Sequence, residues 1–212
     1  MRVDRVTPIS VLVLCLTVTA AIAQSAPAAP TTLTPEERDF ALKQFESSRD
    51  SFLKSISGLS QKQWTFKPSP DRWSVAEVAE HITLAESMIF GLVQKTMQFP
   101  PAPEKREQVK GKDQVILQRV PDRSHKAQAP EVLKPTGKFA TEAELVKAFT
   151  ERREANMNYI RTTNDDLRDH FFDHPVFGTL DGYQWLLFVT THCARHTAQI
   201  EEVKADPNFP KD

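Results

Sequence analysis

The chain has 212 residues, with 27 Lys and Arg against 28 Asp and Glu, for a formal net charge of −1. That balance offers no strong field to nucleic acid or to an anionic membrane surface, and the length suits one domain with a full hydrophobic core. Two cysteines, Cys15 and Cys193, are too few for a disulfide scaffold.

Arg2 and Arg5 precede an apolar run from Pro8 to Ala23, and Ala21-Ile22-Ala23 before Gln24 places small residues where a signal peptidase cuts. The run is short for a membrane span, which takes about 20 residues. Residues 1–23 are therefore expected to be a signal peptide. The mature protein is expected to be periplasmic or secreted, with no stable membrane span. Cys15 is not read as a lipidation site, because bulky Leu14 precedes it inside the apolar run. Cys193 then remains alone in the mature chain, so no intramolecular disulfide is expected. Residues 24–34, rich in Ala, Pro, Ser and Thr, read as a disordered spacer.

Thr34-Pro35-Glu36-Glu37 opens a first helix: a capping residue, proline at the first helical position, then acids in the first turn. Phe40, Leu42, Phe45, Phe52, Leu53 and Ile56 recur with helical period, and Gly58 can stop the helix. Pro68, Pro70 and Asp71 predict a turn. Ser74 and Glu77 form a capping-box signature for a second helix. Val75, Val78, Ile82, Ala85, Ile89 and Leu92 are its apolar stripe, and His81 lies on the same arc. Glu80 and Glu86 read as solvent-facing.

Phe99 to Phe139 is a long irregular loop with five prolines between Pro100 and Pro130. Val115, Ile116 and Leu117 predict a short element tucked against the body, and loops of this length often cover sites. Thr141 with Glu144 opens a third helix, whose inner face is Leu145, Ala148, Phe149, Arg152, Asn156, Tyr159 and Ile160. Asn164-Asp165-Asp166 ends it. His174-Pro175-Val176-Phe177-Gly178 reads as an extended turn, and no strand-period segment of any length is seen. A fourth helix runs from about Asp181 to Lys204, with Trp185, Val189, His192, His196, Gln199 and Val203 on one face. The expected fold is all-α: a four-helix bundle over residues 35–207, with the irregular loop between the second and third main helices.

The chemistry concentrates in His192-Cys193-Ala194-Arg195-His196. Histidines at i and i+4 stack on one helix face, one turn apart, so both imidazoles can reach one divalent ion. His81, on another inward stripe, can complete a triad. Three protein ligands with an open position is the catalytic zinc arrangement, whereas structural zinc sites close with four. A pair of buried histidines satisfied by protein partners is the bland reading of the same residues. Cys193 points about 100° away from His192 around the helix and reads as a small core residue. Gln199 and Glu77 are candidates to orient an imidazole, although Glu77 reads more readily as solvated helix surface. His174 reads as a turn residue that can reach the site mouth, His125 and His170 carry no expected role, and Trp64, Trp73 and Trp185 read as core. No Gly-rich phosphate loop, G-x-S-x-G elbow or H-E-x-x-H motif is present.

Two motifs together carry a resemblance. Trp73-Ser74-Val75-Ala76-Glu77-Val78-Ala79-Glu80-His81, and His174-Pro175-Val176-Phe177-Gly178 followed by Gln184-Trp185 and His192-x-x-x-His196-x-x-Gln199-Ile200, resemble the DinB-like (DinB/YfiT) superfamily. The resemblance covers about Pro35 to Pro207. It implies a four-helix bundle with a metal-binding triad of His81, His192 and His196, zinc or nickel as the divalent ion, and allows a homodimer. It also implies thiol-dependent transferases and isomerases among its relatives. Those thiols are cytoplasmic cofactors, so an exported chain departs from that pattern. The function expected is therefore a metal-dependent hydrolase or transferase acting on a small molecule, with no protein general base identified. The alternative is a non-catalytic metal- or ligand-binding bundle protein. Neither reading calls for nucleic acid.

Overall fold

The computed structural model describes residues 32–125 and 128–211. The expected signal peptide lies outside the described residues. The expected spacer does not run to Thr34, because Leu33 is buried in the core.

Four long helices carry the fold: α1 (Pro35–Ile56), α3 (Val75–Thr96), α6 (Glu142–Thr162) and α7 (Gly182–Lys204). Capping boxes at Thr34/Glu37 and Ser74/Glu77 start α1 and α3 as the sequence predicts, and Asp181/Gln184 starts α7. Each box satisfies backbone donors that a helix start otherwise leaves unpaired. Shorter elements fill the connections: α2 (Gln61–Thr65), α4 (Arg106–Val109), α5 (Lys112–Arg119) and two 3-10 turns, Pro103–Lys105 and Glu131–Leu133. The predicted element around Val115–Leu117 is α5, which buries Ile116.

The expected absence of strands does not hold. Phe171–His174 (β1) and Gly178–Asp181 (β2) form an antiparallel hairpin, with Phe171 opposite Asp181 and His174 opposite Gly178. The predicted extended turn is its loop, closed by Gly178 at φ 65°, a backbone region open to glycine at little cost. The strands are four residues each, too short for an alternation pattern to register.

Side-chain contacts fix the helix directions. Tyr183 donates to the Glu37 carbonyl near the N-terminal ends of α7 and α1, and Lys204 donates to the Ser55 carbonyl near their C-terminal ends. These two helices therefore run parallel. Glu86 meets Arg153, and Phe90 meets Tyr159 further along, so α3 and α6 also run parallel to each other. His81 meets His196 while Met97 lies beside Gly182, so α3 opposes α7. A chain leaving α3 must travel back the length of the bundle to start α6 in the same direction. At 1.5 Å per residue that is about 33 Å. The irregular stretch after α3 is this crossover, and its path takes it across α7 and α3.

The core divides into two apolar clusters, one around Phe45, Ile89, Met157 and Trp185, the other around Phe52, Ile82, Phe149 and Ile200. A buried polar layer lies between them. Arg153, fully buried, donates to both carboxylate oxygens of Glu86 (2.8 and 2.7 Å), to the Phe45 carbonyl and to the Ser48 hydroxyl. Two expectations fail here. Glu86 faces the core, not solvent, and the inward arginine of α6 is Arg153 while Arg152 is exposed. One residue of phase turns a helical side chain by about 100°, and the bidentate pair makes the buried charge tolerable.

Candidate metal centre

His81 sits in the second turn of α3; His192 and His196 sit on consecutive turns of α7. The antiparallel contact of the two helices brings one ligand atom of each histidine within 4.8 Å of the others. Ring centroids lie 5.1 Å (His81–His192), 4.3 Å (His81–His196) and 4.5 Å (His192–His196) apart. His81 is buried; the other two are half-buried. Trp73 and Phe188 flank the cluster, with ring centroids 5.1 Å from His81 and 6.3 Å from His192.

The partners of the rings decide where their protons lie. The Leu133 carbonyl is 2.9 Å from His81 Nδ1. A carbonyl only accepts, so His81 carries its proton on Nδ1 and leaves a lone pair on Nε2. Gln199 Oε1 is 2.8 Å from His196 Nδ1 and 3.3 Å from Arg123 Nη1. A guanidinium only donates, so the shared atom is an oxygen, and His196 also carries its proton on Nδ1. The two Nε2 atoms then face each other at 3.2 Å with a lone pair apiece. Two acceptors in that position need a cation between them. Two imidazole nitrogens on one tetrahedral ion, each at 2.0–2.1 Å, would stand about 3.3 Å apart. The residues present fit a metal.

Burial acts in the same direction. It holds the His81 imidazolium below its usual range against the opposing Leu133 hydrogen bond. Burial, then the neighbouring His196, His81 and Arg195, push His192 well below its usual value. His196 is lowered to about 3, first by burial and then by His81. All three rings are neutral at pH 7, the form that ligates metal.

A model of the DinB superfamily matches residues 44–200, which include all three histidines. The chain belongs to the DinB superfamily. It is 26% identical over 160 residues to the uncharacterized protein YuaE of Bacillus subtilis (strain 168), covering 76% of this chain and 94% of that one. Among solved structures it is similar to YfiT from Bacillus subtilis, described as a probable metal-dependent hydrolase with an unusual four-helix bundle topology. The TM-score is 0.49 at 15% identity, over 89% of this chain and 97% of the other.

In this DinB-superfamily chain the crossover lies against the cluster and is tied to both ligand-bearing helices. Besides Leu133, Arg195 donates to the carbonyls of Val120, Asp122 and His125, and Arg123 forms a bidentate pair with Glu202 on α7. Glu80, expected in solvent, is buried and accepts the backbone N–H groups of Thr136, Gly137 and Lys138 at 2.8, 2.9 and 3.2 Å. The Leu133, Arg195 and Glu80 anchors escape a sequence reading because one partner in each is backbone, which carries no side-chain signal. The Pro135-Thr136-Gly137 sequence, with its positive-φ glycine, is the one legible trace.

The remaining candidates separate cleanly. Gln199 orients His196, as anticipated. Glu77 does not reach the cluster; its carboxylate caps Ser74 and pairs with Lys67. Cys193 points into the core toward the Ser48 carbonyl, and burial raises its thiol to about 11. His174 accepts from the Val176 and Phe177 N–H groups in the hairpin loop and packs at a tilt against Trp185 and Phe188, so it is a turn residue. His170 bonds the Phe99 carbonyl, and His125 offers its own carbonyl to Arg195. Trp185 is buried, whereas Trp64 and Trp73 are half-buried at the edge of the core.

No helix among the described residues is long and apolar enough to cross a membrane.

Proposed function

We propose that this chain is an exported metal-dependent hydrolase or transferase of small molecules, with a divalent ion held by His81, His192 and His196. The observation that carries the reading is the pair of imidazole lone pairs held face to face at 3.2 Å by proton assignments on their far sides. Zinc and nickel are the ions proposed, and imidazole ligands alone do not select between them. When bound, the ion supplies Lewis-acid activation of a nucleophile at neutral pH. The chain's own residues set up that chemistry. Leu133 and Gln199 hold two rings in the ligating tautomer, and burial keeps all three neutral. Trp73 and Phe188 flank the rings with apolar surface. Among the described residues, the groups close enough together to share the ion are these three histidines, so a further ligand is expected from solvent or substrate. Export rests on the signal-peptide pattern of residues 1–23; protein recovered from the periplasm or medium is expected to begin at Gln24 on N-terminal sequencing.

A second reading, a metal- or ligand-binding bundle without turnover, is favoured by one observation. The crossover lies against the cluster, with the Leu133 carbonyl 2.9 Å from His81 Nδ1 and the carbonyls of Val120 and His125 held by Arg195, the residue before His196. The deciding experiment is a panel of ester, amide, phosphoester and thiol-transfer substrates tested with metal-loaded wild type and His192→Ala. Turnover in the wild type that is lost in the variant supports the enzyme. Stoichiometric metal with no turnover on any substrate supports the second reading.

A further inference from the structure

Glu80 and His81 are neighbours on α3, so their side chains leave the helix about 100° apart. Both hold the same stretch of the crossover. The Glu80 carboxylate gathers three successive backbone N–H groups, Thr136 to Lys138. Three residues upstream of Thr136, the Leu133 carbonyl accepts from His81 Nδ1. Pro135 stiffens the link between the two grips, and Leu133 is set by the 3-10 turn Glu131–Leu133. The carboxylate cradle requires Gly137 at φ 74°. A Cβ there would meet nothing within 4 Å, so only the backbone conformation calls for glycine. The result is a closed ring: α3, the His81 imidazole, Leu133 to Lys138, and back to α3 through Glu80.

We propose that Glu80 is a positioning residue of the metal centre: by clamping the crossover it presents the Leu133 carbonyl that fixes His81 in its Nδ1–H form, leaving Nε2 for the metal. The carboxylate touches neither ring nor ion and acts only through the backbone. A partner that orients a ligating histidine is worth about 10- to 100-fold in metal affinity. Glu80 is one step further out and controls that partner's position. The affinity part of this inference rests on the metal-binding reading above; the tautomer part does not.

The test uses Glu80→Gln in the mature full-length chain. In metal-free protein with 15N-labelled histidine, the wild type is expected to show His81 protonated at Nδ1. The variant is expected to show a shift toward the Nε2–H form, which removes the ligating lone pair. Zinc affinity, measured by competition with a chelating indicator, is expected to fall by about 10- to 100-fold, with helicity unchanged by circular dichroism. A folded variant that keeps the Nδ1–H form and binds zinc within about twofold of the wild type overturns the proposal. If Glu80→Gln does not fold, Gly137→Ala perturbs the same cradle from the crossover side and is held to the same two readouts. If the wild type takes up no zinc, the metal reading falls, and the His81 tautomer still decides the positioning role.

Discussion

Removing the Glu86 carboxylate should expose how much the bundle depends on its buried polar layer. Glu86 is 2% exposed and accepts two hydrogen bonds from Arg153 and one from Asn156, all at 2.7–2.8 Å. Glu86→Ala leaves a guanidinium that is 0% exposed, held only by the Phe45 carbonyl and Ser48 hydroxyl, with its charge uncompensated. It also strands the amide of Asn156, whose Oδ1 already lacks a partner among the described residues. Breaking a buried pair from one side costs roughly 3–5 kcal/mol. For a domain of this size, 1 kcal/mol moves Tm by roughly 2–4 °C, so a fall of about 6–20 °C is expected. Thermal melts in chelator isolate the effect from the metal. Glu86→Leu combined with Arg153→Met replaces the pair with apolar side chains and should recover most of the loss. A single variant melting within about 2 °C of wild type, or a double variant no better than the single, would show that the pair is not the buried linchpin described.

Four further outcomes follow from the same structure. In the metal-free chain, the unfolded state takes up histidine protons near pH 6.5, while His192 and His196 in the folded state do so only at much lower pH. Stability is therefore full above about pH 6.5 and is lost as pH falls toward 3, by on the order of 1.4 kcal/mol per pH unit for each such group. Urea melts at pH 7, 6 and 5 should show that slope, and a pH-independent midpoint would contradict it. Gln199→Ala removes the acceptor behind His196 and should weaken zinc or nickel binding by about 10- to 100-fold in the same competition assay. Gly182→Ala places a Cβ 2.8 Å from Leu167 Cδ2 and 3.1 Å from the Leu167 carbonyl oxygen, and should cost roughly 1–3 kcal/mol in denaturant melts. Gly91→Ala in α3 meets nothing within 4 Å and should stabilise by roughly 0.8–1.0 kcal/mol.

The helix starts were legible because capping boxes are local: Thr34/Glu37 and Ser74/Glu77 satisfy their own backbone within four residues. His81, His192 and His196 were legible because helical period alone puts them on inward faces. What escaped depends on partners distant in sequence. Glu86 and Glu80 look like surface acids until Arg153 and the Thr136–Lys138 backbone come to meet them. Arg152 and Arg153 sit side by side, and a drift of one residue in the phase of α6 chose the wrong one. The crossover looked like an irregular loop because its reason lies in the parallel run of α3 and α6, a property of packing that no local pattern carries. Leu133 contributes a carbonyl, which every residue has.

The most direct test of the account is metal content by mass spectrometry on mature, untagged protein, with His81→Ala and His192→Ala purified in parallel. The account predicts near-stoichiometric divalent metal in the wild type and its loss in both variants. Wild-type protein that takes up no metal after incubation with zinc and with nickel would contradict it.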